Sequence, residues 1–170
     1  LVIDLRGNPG GQLDQAIRVS NRVLPRGDLI VYTRGRVDNS DEDYHATRPS
    51  DFLDVPMVVM VNRNSASASE IVSGALQDHD RKALVQSVYR VSAGAGLALT
   101  TARYYTPSGR LIQRPWDGAF DEYLTYTMRD QSQRQHSAED LKLTDGGRKV
   151  YSGGGVEPDE RFDGPVEGFN

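Results

Sequence analysis

The sequence contains no cysteine, so disulfides and thiolate chemistry are excluded, and the redox compartment stays open. It lacks an excess of positive charge. The net charge is −4 and the pI is near 5.4, so nothing points to nucleic acid or an anionic membrane surface as a partner. No apolar run approaches the length of a membrane span. Histidine is scarce and scattered, at His45, His79 and His136, with no pair at metal-ligand spacing. A structural zinc site is therefore not expected. Lysine occurs only at Lys82, Lys142 and Lys149. No signal peptide is visible. The chain opens in mid-strand with Leu1-Val-Ile-Asp-Leu5 and reads as a piece of something longer.

What is present suits one domain: 170 residues, 37% of them hydrophobic, enough for a real core. Residues 1–5 read as a buried strand, followed by the breaker-rich turn Arg6-Gly-Asn-Pro-Gly-Gly11. Leu13, Ile17, Ser20 and Leu24 recur at helical spacing, which predicts an amphipathic helix over 12–24, stopped by Pro25-Arg-Gly27. Strands are expected at 29–33 and 56–61. The acidic stretch 35–54 between them reads as a solvated surface loop. A helix led by serine runs to about Asp78, with Ile71, Val72, Ala75 and Leu76 as its inward stripe. Strands alternating with helices argue for an α/β fold with largely parallel strands. The second half is β-rich. Residues 84–91 and 96–105 alternate in the β manner about the turn Ser92-Ala-Gly-Ala95. Residues 114–150 are polar and read as an insertion or peripheral arm, with 121–129 a candidate helix. Gly153-Gly-Gly-Val-Glu-Pro-Asp159 reads as a loop leading to a polar tail.

The chemistry points to Ser65-Ala-Ser-Ala-Ser-Glu-Ile-Val72, a serine-rich turn between a strand and a helix. A serine at a helix N-terminus sits where free N–H groups and the helix dipole favour negative charge. That environment suits an alkoxide nucleophile and an oxyanion. Serine is also a favoured N-cap, and that reading stands beside the first. The Gly10-Gly11 turn could face the serine as an oxyanion donor, or could simply be a tight strand–helix turn. It lacks the ending of a P-loop and the spacing of a dinucleotide fingerprint. A base must also be found. His79 lies beyond the end of the serine-led helix, about 18 Å from its start at 1.5 Å per residue, so a Ser–His pair is geometrically poor. Lys82 starts an apolar segment. Burial lowers a lysine's pKa, and a neutral amine can take the serine proton. An exposed charge at a strand edge is the competing reading of Lys82.

Several segments in this order resemble the carboxyl-terminal processing proteases, also called tail-specific proteases, which are Ser–Lys endopeptidases. They are residues 1–11, 61–72, Gly-Ala-Leu-Gln-Asp at 74–78, 99–110 and Gly-Val-Glu-Pro-Asp at 155–159. The resemblance implies a Clp protease/crotonase-like α/β core, carrying the β-rich second half and the polar arm, with residues 1–170 forming a single peptidase domain. It implies Ser67 as nucleophile, Lys82 as general base and Gln86 as the residue that orients the lysine. Ala68 and the Gly10-Gly11 turn would supply the oxyanion hole, and Glu70 and Asp78 would support the site. Ser65 and Ser69 would be structural. It further implies a protein or peptide substrate, no cofactor, and a bacterial envelope or periplasmic location with membrane proximity of the full-length protein. The oligomeric state stays open.

The family's PDZ domain has no counterpart in this sequence. The resemblance also implies a connector of about ten residues between Arg81 and the lysine, and exposed mobile loops are the segments that most often go missing. The segment is therefore expected to exist in the protein but to be missing from the sequence. A non-catalytic peptide-binding module on the same scaffold is the alternative if it does not.

Overall fold

The computed structural model describes residues 1–35, 40–80, 83–88, 102–112 and 136–162. The described elements are, in order, β1 (Val2–Asp4), α1 (Leu13–Val23), β2 (Leu29–Gly35), β3 (Glu42–His45), β4 (Met57–Val61), α2 (Ala68–Asp78), β5 (Ala83–Val88), β6 (Ala102–Tyr105), β7 (Leu141–Leu143), β8 (Lys149–Tyr151) and β9 (Glu160–Phe162). A 3-10 turn at Ala138–Asp140 leads into β7. One sheet is parallel throughout, in the order β1-β4-β5-β9. A second is antiparallel, in the order β3-β2-β6. Strands β7 and β8 form a hairpin.

Helix α1 buries Ala16, Ser20 and Val23, with Leu13 and Ile17 packed beside them, so one stripe faces the core. It ends at Leu24, whose N–H donates to Ser20 O at 2.9 Å, and Pro25 then has no N–H to continue the ladder. Helix α2 is different. It packs against α1, β2 and β5, and every residue from Ile71 to Asp78 is buried. Burying Ile71, Val72 and Leu76 contributes about 1.5–3 kcal/mol each, before the entropy of ordering is subtracted. Gly74 lets the chain approach closely: a Cβ there would lie 2.7 Å from Thr106 Cγ2 and 3.1 Å from Val156 Cγ2.

The α/β class holds. Several local expectations need correction. The acidic stretch 35–54 is not loop throughout, because Glu42–His45 pairs antiparallel with β2 as an edge strand. Its charged side chains face solvent, so the sequence carries no hydrophobic alternation there. Among the described residues, β5 and β6 do not pair with each other across the expected turn. Strand β5 joins the parallel sheet, and β6 lies beside β2. The turn expected at 92–95 lies outside the described residues. Within 114–150, residues 138–150 form the 3-10 turn and the hairpin, while the candidate helix 121–129 lies outside the described residues. The expected polar tail begins with β9, parallel to β5. The missing connector is the largest correction. Residues 1–170 are one continuous chain, and the sequence passes from α2 to β5 through residues 79–82 alone.

Candidate active site

Strands β1 and β4 run in register, Asp4 beside Met60, so the loops that follow them emerge at the same carboxyl edge of the sheet. That edge is where open α/β sheets bind ligands. Loop 5–12 leads to α1 and loop 62–67 leads to α2. A dense set of hydrogen bonds ties the two loops together. Leu5 N–H donates to Met60 O at 2.8 Å, and Ala66 N–H donates to Asn8 O at 3.1 Å. Gly7 N–H donates to Asn62 Oδ1 at 2.9 Å. The alternating serines divide the work. Ser65 Oγ donates to Leu5 O at 2.7 Å, and Ser69 Oγ donates to Asn8 O at 3.0 Å. Both are buried. Ser67, between them, is exposed.

Ser67 stands at φ 54°, ψ −116°, a left-handed conformation that a residue with a Cβ adopts only under strain. Such sharp strand-to-helix turns lift a side chain out of the fold at a helix N-terminus. Two neighbours hold it there. The first is Gly10, at φ +97°. A Cβ on Gly10 would fall 2.5 Å from Ala66 O, 2.7 Å from Ala68 N and 2.9 Å from Ser67 Cβ, so only glycine fits against the turn. The second is Glu70, which faces Ser67 as in a capping box. Its carboxylate accepts Ser67 N–H at 2.9 Å. Glu70 N–H goes to the Ser67 main-chain oxygen at 2.9 Å and also faces the Ser67 side chain, which completes the box.

The expected oxyanion donors separate into two kinds. Gly10 N–H donates to Asn8 Oδ1 at 2.9 Å, so Gly10 contributes close approach and not a free donor. Gly11 is exposed with no atom near its missing Cβ. Ala68 is the first residue of α2, where an N–H has no intrahelical acceptor.

Asp78 sits at the other end of α2. It is 1% exposed and pairs with the Arg110 guanidinium, itself 2% exposed. The second Asp78 oxygen accepts Ser108 N–H at 2.9 Å. Gln77 accepts Arg110 Nη1 at 2.8 Å, and its own amide donates to Glu157 O at 2.8 Å and Asp159 Oδ1 at 3.0 Å. Arg148 bridges Asp159, Asp80 and Gln77 O. Burial pulls the Arg110 pKa below its ordinary value, and Asp78 opposes that pull. Segments 74–78, 106–110 and 155–159 thus meet in one buried network. Sequence reading missed Arg110, Arg148 and Asp159 as its members, since isolated charges in turns carry no periodic signal.

His79 belongs to this end as well. Its Nε2 lies 2.6 Å from Leu29 O and its Nδ1 lies 2.7 Å from Asp145 Oδ2. Both partners only accept, which favours the protonated ring, and both ring nitrogens are engaged at this end of α2, away from Ser67. Burial lowers the His79 pKa, but Leu29 O, Asp145 and Asp28 together raise it above the ordinary value.

Lys82 lies outside the described residues. Its neighbour Ala83 pairs with Met57, the first residue of β4, whereas Ser67 follows the last. Four steps along β4 span about 13 Å, so Ala83 sits at the opposite edge of the sheet. Gln86 pairs with Met60, close to the carboxyl edge. The structure thus gathers Ser67, Ala68, Glu70, Gly10 and Gly11 at one edge, leaves Asp78 at the far end of α2, and starts β5 away from them.

Among known proteins, a carboxy-terminal-processing protease of Bartonella bacilliformis is 48% identical over 122 residues, covering 66% of this chain and 28% of that protein. A carboxyl-terminal-processing protease of Synechocystis sp. is 43% identical over 123 residues, with 66% and 28% covered. A solved photosystem II D1 C-terminal processing protease superposes with a TM-score of 0.59 at 27% identity, over 96% of this chain and 34% of that one. The chain thus spans little more than a quarter of the curated relatives it matches. A stretch of 122 positions that takes up 66% of 170 residues also has more positions than this chain fills, so the chain is shorter than its relative within the match. The sequence profile of peptidase family S41 matches residues 1–118. This chain belongs to peptidase family S41.

Proposed function

We propose that this chain carries the nucleophilic half of a serine endopeptidase that acts on protein substrates near their C-termini, as the names of its relatives imply. The observation that carries the reading is Ser67: exposed, left-handed and at the head of a buried helix. In this reading the fold is a Clp protease/crotonase-like core. Ser67 Oγ attacks the scissile carbonyl carbon, and the developing oxyanion is held by the N–H groups of Ala68 and Gly11. A well-placed donor of this kind is worth about 3 kcal/mol. Lys82, oriented by Gln86, takes the serine proton and returns it to the leaving amine. Water then hydrolyses the acyl-enzyme. An envelope or periplasmic location is part of this proposal.

The lysine step carries a condition. With β5 paired as described, its first residue lies at the amino edge of the sheet. Lys82 can serve Ser67 only if β5 moves out of that register when substrate binds. The shortened chain and the β5 register favour a second reading, a scaffold that binds peptide without cutting it. A fluorophosphonate probe with peptide mapping separates the two. Labelling at Ser67 that vanishes in both Ser67→Ala and Lys82→Ala supports the dyad. No labelling of the wild-type chain, with peptide binding retained, supports the scaffold.

A further inference from the structure

We propose that Gly155 is a positioning residue for the Ser67 turn, acting through Glu70. The inference rests on the reading of Ser67 as nucleophile, and it lies beyond the stretch 1–118 matched to the family. One oxygen of Glu70 accepts Ser67 N–H. The other faces Gly155 so closely that a Cβ there would fall 2.4 Å from Glu70 Oε1. Gly155 is buried and stands at φ +86°. The segment around it lies along α2. Val156 meets Gly74 one turn after Glu70, and Glu157 O accepts from Gln77 another turn on. Asp159 then anchors the segment through Gln77 and Arg148. The loop is thus fastened at the C-terminal end of α2 and backs the Glu70 carboxylate at the N-terminal end. A carboxylate confined in this way holds one N–H in one direction, and that N–H belongs to the strained residue.

The test compares Gly155→Ala with Gly147→Ala, because Gly147 has a similar φ of +81° but no atom within 4 Å of a Cβ. Two readouts are taken: the amide proton shift of Ser67 by NMR, and the rate of fluorophosphonate labelling. In Gly155→Ala the Ser67 amide should move upfield toward its position in Glu70→Ala, and labelling should slow about tenfold, the scale of one charge-assisted hydrogen bond. Gly147→Ala should do neither. In the Glu70→Ala background, Gly155→Ala should add no further loss, as expected when one residue acts through the other. An unmoved amide, or the same loss in both backgrounds, overturns the proposal. If Gly155→Ala does not fold, Val156→Ala loosens the same segment without adding an atom. A Ser67 amide unchanged in that variant also overturns it. A wild-type chain that takes no label refutes the nucleophile reading, while the amide shift still decides the role of Gly155.

Discussion

The two ends of helix α2 are built on opposite terms. At the N-terminal end the residue is strained and exposed. At the C-terminal end Gln77, Asp78, His79 and Asp80 meet Arg110, Arg148, Asp145 and backbone groups from three segments. The contrast teaches how a fold can hold an unfavourable local conformation. A left-handed serine costs about 1–3 kcal/mol, and it persists only where the surroundings over-determine it. The saturated end fixes the helix, and the glycines and Glu70 at the other end leave Ser67 no alternative.

This contrast can be broken from either side. The largest effect expected is on activity at the strained end. Ser67→Ala should abolish labelling and peptide hydrolysis while the far-UV circular dichroism stays that of the wild type. Next is the saturated end. Asp78→Ala leaves the Arg110 charge buried without its partner and should cost about 3–5 kcal/mol in urea unfolding, with the N-terminal end chemically unaltered. Gly10→Ala should follow. It forces a Cβ into Ala66 O and Ala68 N and should cost about 1–3 kcal/mol, with labelling slowed as the turn shifts. Ser67→Gly sharpens the comparison in the opposite direction. It should raise stability by about 1 kcal/mol by removing the left-handed strain, at the expense of all activity.

The smallest effect is a pH dependence at the saturated end. The folded-state pKa of His79 lies above its unfolded value of 6.5, so its contribution is fully present below pH 6.5 and is lost as pH rises through the folded-state value. Melting temperatures from pH 5.5 to 8.5 should therefore fall in the wild type relative to His79→Gln. A parallel pair of curves would show that His79 does not titrate with folding.

Much of the first eighty residues was legible. Helix α1, strand β4 and helix α2 fall close to where periodicity and breakers put them, because each buries one repeating face or is apolar throughout. Strand β1 forms where expected but is not the buried strand the sequence suggested: it is the edge of its sheet, with Val2 and Asp4 exposed and Ile3 half-buried. Strand β3 was hidden, since an edge strand with charged side chains shows no hydrophobic alternation. The partners of β5 and β6 were also hidden, because two adjacent β-patterned segments look the same whether they pair with each other or join different sheets. Of the candidate site, the serine and the glycine turn could be named from their residues. The division among Ser65, Ser67 and Ser69 became physical only when two of them were seen fastening the glycine loop.

The sequence alone determined which elements form and which residue types could do chemistry, because helical period, turn composition and the scarcity of alternative bases are local properties. Tertiary structure alone decided which N–H groups stay free, which charges cancel in the interior, and at which edge of the sheet β5 begins. Those depend on distances between residues far apart in the chain.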